Sequence, residues 1–151
     1  MEKLKKFILT VLLVALPLSV SASMRGLDKY YDLAVDFLGQ PGDCFVMATA
    51  YLRELYGDSS YKIRMSNYDQ VSESDAKAGD VIYYDSCASS SGGYTTHWAI
   101  YLGDGAAMHG NWGKKVIISK SHMEACSSPN FYHLRSLSSQ TVDFNLISLD
   151  D

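Results

Sequence analysis

Two stretches of the chain repeat apolar residues at helical spacing. Over residues 27–38, Leu27, Tyr30, Tyr31, Ala34, Phe37 and Leu38 fall on one face, and Gly39 with Pro41 ends the pattern. The second stretch runs from Cys44 to Tyr56, with Phe45, Ala48, Tyr51, Leu52 and Leu55 on a common side and Gly57 as the stop. Residues 58–79 are polar and irregular and read as loop, with one short helical turn near Ser74. From Asp80 the pattern shifts to short β-prone runs, VIYY, HWAIYL, AAMHGNW, KVIIS and NFYHLR, separated by Gly, Ser and Asp clusters. Helices followed by strands predict an α+β domain with a mostly antiparallel sheet.

Two of these runs meet across Gly103-Asp104-Gly105 and form a predicted β-hairpin. A three-residue loop sets Leu102 opposite Ala106, His109 opposite Ala99 and His97 opposite Asn111, which puts both histidines on one face as diagonal neighbours. A two-residue Asp104-Gly105 loop puts them on opposite faces. Side-chain alternation favours the first register. It collects Trp98, Ile100, Leu102, Met108 and Trp112 on a core face, and leaves His97, Ala99, Tyr101, Ala107, His109 and Asn111 on a small and polar one. Ala99 and Ala107 then leave room for the Cys44 helix to approach. The stretch DSCASSSGGYTT, which ends just before His97, reads as a mobile surface loop.

With 151 residues, 47% hydrophobic and 20% charged, the chain has room for one folded domain. Its N-terminus carries Lys3, Lys5 and Lys6 ahead of an apolar run too short for a membrane span, and Val20-Ser21-Ala22 fits a signal peptidase site. The expected organisation is a signal peptide over residues 1–22, a domain over 23–136 and a tail over 137–151. Cleavage removes three lysines and one glutamate and moves the net charge from −4 to −6. An acidic mature protein argues against nucleic acid and anionic membrane surfaces as partners.

Three cysteines in an exported chain leave one thiol over. The simplest allocation pairs Cys87 with Cys126 and keeps Cys44 free; the alternative leaves those two unpaired as well. Cys44 follows Asp43, a good N-cap, and Gly42, which permits a sharp entry to the helix. Its sulfur then sits at the positive end of the helix dipole, which favours the reactive thiolate, and its own N–H can face a developing oxyanion. His97 is placed to take the thiol proton and His109 to orient the imidazole. Asp43, Tyr94, Asn111 and Trp112 are candidate substrate contacts. His122 and His133 lack metal-ligand spacing and read as surface or packing residues, so no metal or cofactor is expected.

Asp43-Cys44 opening a helix, AGDVIYY at residues 78–84, HWAIYLGDG at 97–105 and Met108-His109 resemble NlpC-type bacterial cell-wall cysteine peptidases in order, spacing and type. The resemblance covers most of residues 27–136. It implies a papain-like fold and an exported or periplasmic, monomeric, metal-free hydrolase of peptidoglycan stem peptides, with Cys44, His97 and His109 as its triad. Phe45-Val46 stands where family members usually carry Ser-Gly. The alternatives are a cell-wall binding domain whose catalysis has decayed, and a thiol acyltransferase or lipid hydrolase using the same dyad. The HWAIYLGDG run is also similar to lecithin retinol acyltransferase-type proteins, in which the cysteine follows the histidines.

Overall fold

The computed structural model describes residues 29–135; the signal peptide and tail expected at the two ends lie outside the described residues. Helix α1 covers residues 29–36. Its buried face is set by Ala34 and Phe37, with Tyr30 and Leu33 packed beside them, while Tyr31, Val35 and Leu38 are exposed. The expected apolar face was therefore too wide, since neighbouring positions on a short helix cannot all reach one sheet.

Helix α2 (Cys44–Tyr56) begins where Asp43 accepts hydrogen bonds from the backbone N–H groups of Phe45 at 2.9 Å and Val46 at 3.4 Å. It ends at Gly57, whose φ of 64° lets Gly57 and Asp58 donate back to the carbonyls of Glu54 and Arg53. Met47, Ala48, Tyr51 and Leu52 form its buried stripe. Tyr51 and Leu52 are fully covered, each worth about 1.5–3 kcal/mol in apolar burial.

Six strands follow among the described residues: β1 (Tyr68–Val71), β2 (Val81–Ala88), β3 (Tyr94–Gly103), β4 (Ala106–Trp112), β5 (Lys115–Lys120) and β6 (Asn130–Leu134). They form one antiparallel sheet in the order β1-β6-β2-β3-β4-β5. The α+β expectation holds. β1 lies inside the segment read as loop, because four residues with only Tyr68 buried carry no usable alternation. The short helical turn expected near Ser74 is present as a 3₁₀ turn, Glu73–Asp75.

The segment read as a mobile loop is mostly strand. β2 runs on to Ala88, β3 starts at Tyr94, and the turn between them is closed by Ser89 and Gly93. A disulfide joins Cys87 to Cys126, and backbone bonds from Ala88 to Ala125 and from Ser127 to Ser86 fasten the same region. A serine- and glycine-rich composition was read as freedom, but the chain here is tied to its neighbours.

Both faces of the sheet are buried. On the α2 side, Val81, Ile100, Leu102, Met108 and Val116 pack against Met47, Ala48, Tyr51 and Leu52. On the far side, Ile82, Tyr84, Ala99, Tyr101, Ala107 and Phe131 form a second cluster with Cys87, Val71 and Ala76 against it. Ala99 and Ala107 therefore serve the far core, and the room for α2 comes from Gly110. A Cβ at Gly110 would stand 2.9 Å from the Cys44 Cα and 2.9 Å from the Met47 Cβ. That contact seats the start of α2 on β4.

Candidate active site

The hairpin that carries the histidines has the expected register, with Ala99 opposite His109, Ile100 opposite Met108 and Tyr101 opposite Ala107. Its turn differs from the expected one. Gly103 faces Ala106 across a two-residue turn, with Asp104 at φ 49° and Gly105 at φ 74°, and the extra residue is a bulge at Leu102. The bulge restores the parity that a three-residue loop was expected to supply.

A second bulge lies between His109 and Trp112 on β4, where Asn111 adopts φ 55°. One extra residue reverses the alternation. Trp112 consequently leaves the core face expected for it and covers the histidines, with ring centroids 5.4 Å from His97 and 5.7 Å from His109. Tyr84 packs on both imidazoles from another direction, at 5.6 and 6.1 Å.

Within this aromatic enclosure His97 Nε2 lies 3.1 Å from His109 Nδ1, and His109 Nε2 lies 2.9 Å from the carbonyl oxygen of Lys120. These partners determine the tautomers. A carbonyl only accepts, so His109 Nε2 carries a proton and its neutral ring offers Nδ1 as the acceptor. His97 Nε2 must then be the donor, which leaves His97 Nδ1 with a free lone pair. Burial and the neighbouring His109 hold His97 down to about 4, and burial holds His109 below its ordinary value. Both rings are neutral at pH 7, as the tautomer chain requires.

Cys44 and His97 line one cleft of about 790 Å³, together with Asp43, Phe45, Trp98, Asn111 and Trp112. Its far wall is the β2–β3 turn region, where Cys87, Ser89, Ser90, Thr95 and Thr96 face the same space. Of the expected substrate contacts, Asp43, Asn111 and Trp112 border the cleft. Tyr94 does not; it sits at the outer start of β3, 79% exposed, and the cleft wall beside it is made by Thr95 and Thr96. His109 stands behind His97, fully buried.

Cys44 is the one free cysteine. Burial pushes its thiol up, and the Asp43 carboxylate adds to that, against smaller opposing effects from the backbone N–H groups of Trp98, Phe45 and Cys44 itself. The lowering expected from the helix start is thus outweighed by desolvation. His122 pairs with Glu73 at the surface, at 2.9 Å, and His133 Nδ1 lies 2.6 Å from the buried carboxylate of Asp80. No group of three or more metal-ligating side chains occurs among the described residues.

The family model described as NlpC/P60 matches residues 40–135, which includes every side chain of this cleft. The chain belongs to the NlpC/P60 family. Two solved NlpC/P60 structures are similar to it at low identity. The P60 domain of the M. avium subspecies paratuberculosis antigen MAP1204 is 14% identical, over 72% of this chain and 94% of that one, with a TM-score of 0.45. RipD from Mycobacterium tuberculosis, described as a non-catalytic NlpC/p60 domain protein with an adaptation to peptidoglycan-binding function, is 16% identical over 74% and 97%, with a TM-score of 0.45. No curated protein matches the sequence.

Sequence reasoning passed over three residues that shape this NlpC/P60 cleft. Gly110 seats Cys44, Tyr84 packs on the imidazoles, and Lys120 supplies the terminal acceptor through its carbonyl. Gly110 alone left a trace, as a lone glycine inside a strand pattern, which marks close backbone approach or a bulge. A backbone carbonyl leaves none.

Proposed function

We propose that this chain is an exported thiol hydrolase that cleaves amide bonds in peptidoglycan stem peptides. The observation that carries the reading is the directed chain Lys120 carbonyl, His109, His97, which leaves a basic lone pair on His97 Nδ1 in a cleft that Cys44 also lines. Both partners start neutral, so the thiol proton passes to His97 as sulfur attacks the amide carbonyl. The new C–S bond makes a tetrahedral oxyanion, which the backbone N–H of Cys44 at the α2 start would stabilise. Collapse breaks the C–N bond, and His97 returns its proton to the leaving amine. Water then hydrolyses the thioester by the same route. The lysine-rich apolar N-terminus and the Cys87–Cys126 disulfide support export to an oxidising compartment.

The test is incubation of the mature protein with purified muropeptides, read by mass spectrometry, across pH. Product masses should report amide cleavage that Cys44→Ala abolishes, and kcat/KM should rise with pH through about 4 as His97 loses its proton, then level off. Cleavage retained by Cys44→Ala refutes the mechanism.

A second reading, a cell-wall binding domain without turnover, is favoured by the raised Cys44 thiol. Turnover separates the two. If the mature protein binds purified muropeptides without cutting them at any pH, the binding reading replaces the hydrolase.

A further inference from the structure

Beside the start of α2 a row of side chains crosses the strands, half-buried at Trp98, Tyr83 and Asn130 and exposed at Phe45, Asp85 and Gln70. Tyr83 on β2 stands directly opposite Trp98 on β3 and Asn130 on β6. Trp98 lies between two other rings, 4.9 Å from Tyr83 and 5.1 Å from Phe45, and Phe45 keeps 38% of its surface exposed. The row therefore runs from the edge of α2 as three adjoining aromatics and continues as polar groups.

The polar part is a connected ladder. Asn130 Nδ2 donates to Asp85 Oδ2 at 3.0 Å and to the Tyr83 carbonyl at 3.3 Å, while its Oδ1 accepts from Gln70 Nε2 at 3.3 Å. Asp85 and Gln70 are exposed, and Asp85 Oδ1 and Gln70 Oε1 have no protein partner among the described residues. Aromatic surface bordered by held, outward acceptors fits a pyranose. The C–H face of the sugar packs on a ring while its equatorial hydroxyls donate to the amide and carboxylate oxygens. An apolar acyl chain would strand those acceptors, and a peptide strand would need free backbone partners that β2, β3 and β6, each paired on both sides, do not offer.

We propose that this row is a carbohydrate subsite, centred on Phe45, Trp98 and Tyr83 with Asp85, Asn130 and Gln70 as its polar rim. It is continuous with the cleft, because Phe45 and Trp98 line both. The identity of the sugar, an amino-sugar glycan attached to the stem peptide, rests on the peptidoglycan reading; the stacking geometry does not. The glycan would lie across the sheet beyond α2 while its peptide enters the cleft.

The chain has two tryptophans, so a Cys44→Ala, Trp112→Phe protein reports on Trp98 alone. Titrated with the β-1,4-linked trisaccharide of N-acetylglucosamine, it should show a saturable fluorescence change. Asn130→Ala and Asp85→Asn should each weaken binding about 5-fold or more. In the protein with Cys44 intact, Asn130→Ala should raise KM for glycan-linked muropeptide and leave kinetics on the sugar-free stem peptide unchanged. No saturable change up to about 10 mM trisaccharide, with the fold intact by circular dichroism, overturns the proposal. A protein that binds the trisaccharide but cleaves neither substrate overturns the hydrolase and leaves the subsite standing; cleavage of both substrates without trisaccharide binding does the reverse.

Discussion

Replacing Gly110 with alanine tests how α2 is held against β4. A Cβ there would sit 2.9 Å from two carbons, the Cα of Cys44 and the Cβ of Met47. Carbon atoms rest at about 3.5–4.0 Å, so the contact must open by roughly 0.6–1 Å. Neither neighbour is the free end of a flexible side chain, hence the first turn of α2 or the strand itself has to move. Overpacking of this kind costs about 1–3 kcal/mol in stability. A displacement near 1 Å at a reacting atom costs on the order of 100-fold in rate. Gly110→Ala should therefore lower the denaturation midpoint and, more tellingly, change the alkylation rate of Cys44 and cut muropeptide hydrolysis about 10- to 100-fold. Gly57→Ala is the control: at φ 64° with no atom within 4 Å of its Cβ, it should lose about 1 kcal/mol of stability and leave Cys44 unaffected. Wild-type stability and wild-type Cys44 reactivity in Gly110→Ala would refute the seating argument.

Two further outcomes concern the fold around the site. His97 is held down to about 4 against an ordinary 6.5, so the unfolded chain binds the extra proton between those values. Its contribution is full above pH 6.5 and is lost as pH falls through about 4, a change of about 3 kcal/mol. Urea denaturation at pH 7 and pH 4 should show it, and the difference should shrink in His97→Gln; an equal acid loss in both proteins would exclude His97 as the source. The Cys87–Cys126 bridge closes a loop over a sequence separation of 39, so reducing it should cost up to about 4 kcal/mol in the chain-entropy account. Denaturation of Cys44→Ala with and without reductant measures this without thiol exchange, and a difference below about 1 kcal/mol would show that the backbone bonds at Ser86 and Ala88 already constrain the segment.

What the sequence disclosed and what it hid divide along a physical line. Properties carried by spacing alone were legible: the α2 cap at Asp43 and stop at Gly57, the hairpin register, and the two histidines as diagonal neighbours. Each depends on a period of 2.0 or 3.6 that few residues suffice to reveal. The bulges were not legible, because a bulge inserts one residue into an alternation and every position beyond it reads with the wrong sign. Trp112 was assigned to the core for that reason, and Asn111 at φ 55° is where its strand changes sides. β1 was hidden by brevity and by its place at the sheet edge.

The thiol of Cys44 shows a deeper limit. Its place at a helix start is a local property, and that location favours the thiolate through the N–H groups of Phe45 and of Cys44 itself. Burial is a property of everything packed nearby, and it acts in the opposite direction with the larger effect, even though the backbone N–H of Trp98, on a strand more than fifty positions away, also favours the thiolate. The same enclosure suppresses charge on His97 and His109, so thiol and imidazole are both biased toward neutrality. A pre-formed thiolate–imidazolium pair would have to charge two groups that the fold keeps uncharged. In the proposed hydrolysis, proton transfer concerted with attack would avoid that cost, and His97 Nδ1, left bare by the hydrogen bonds behind it, is in the protonation state such a transfer requires.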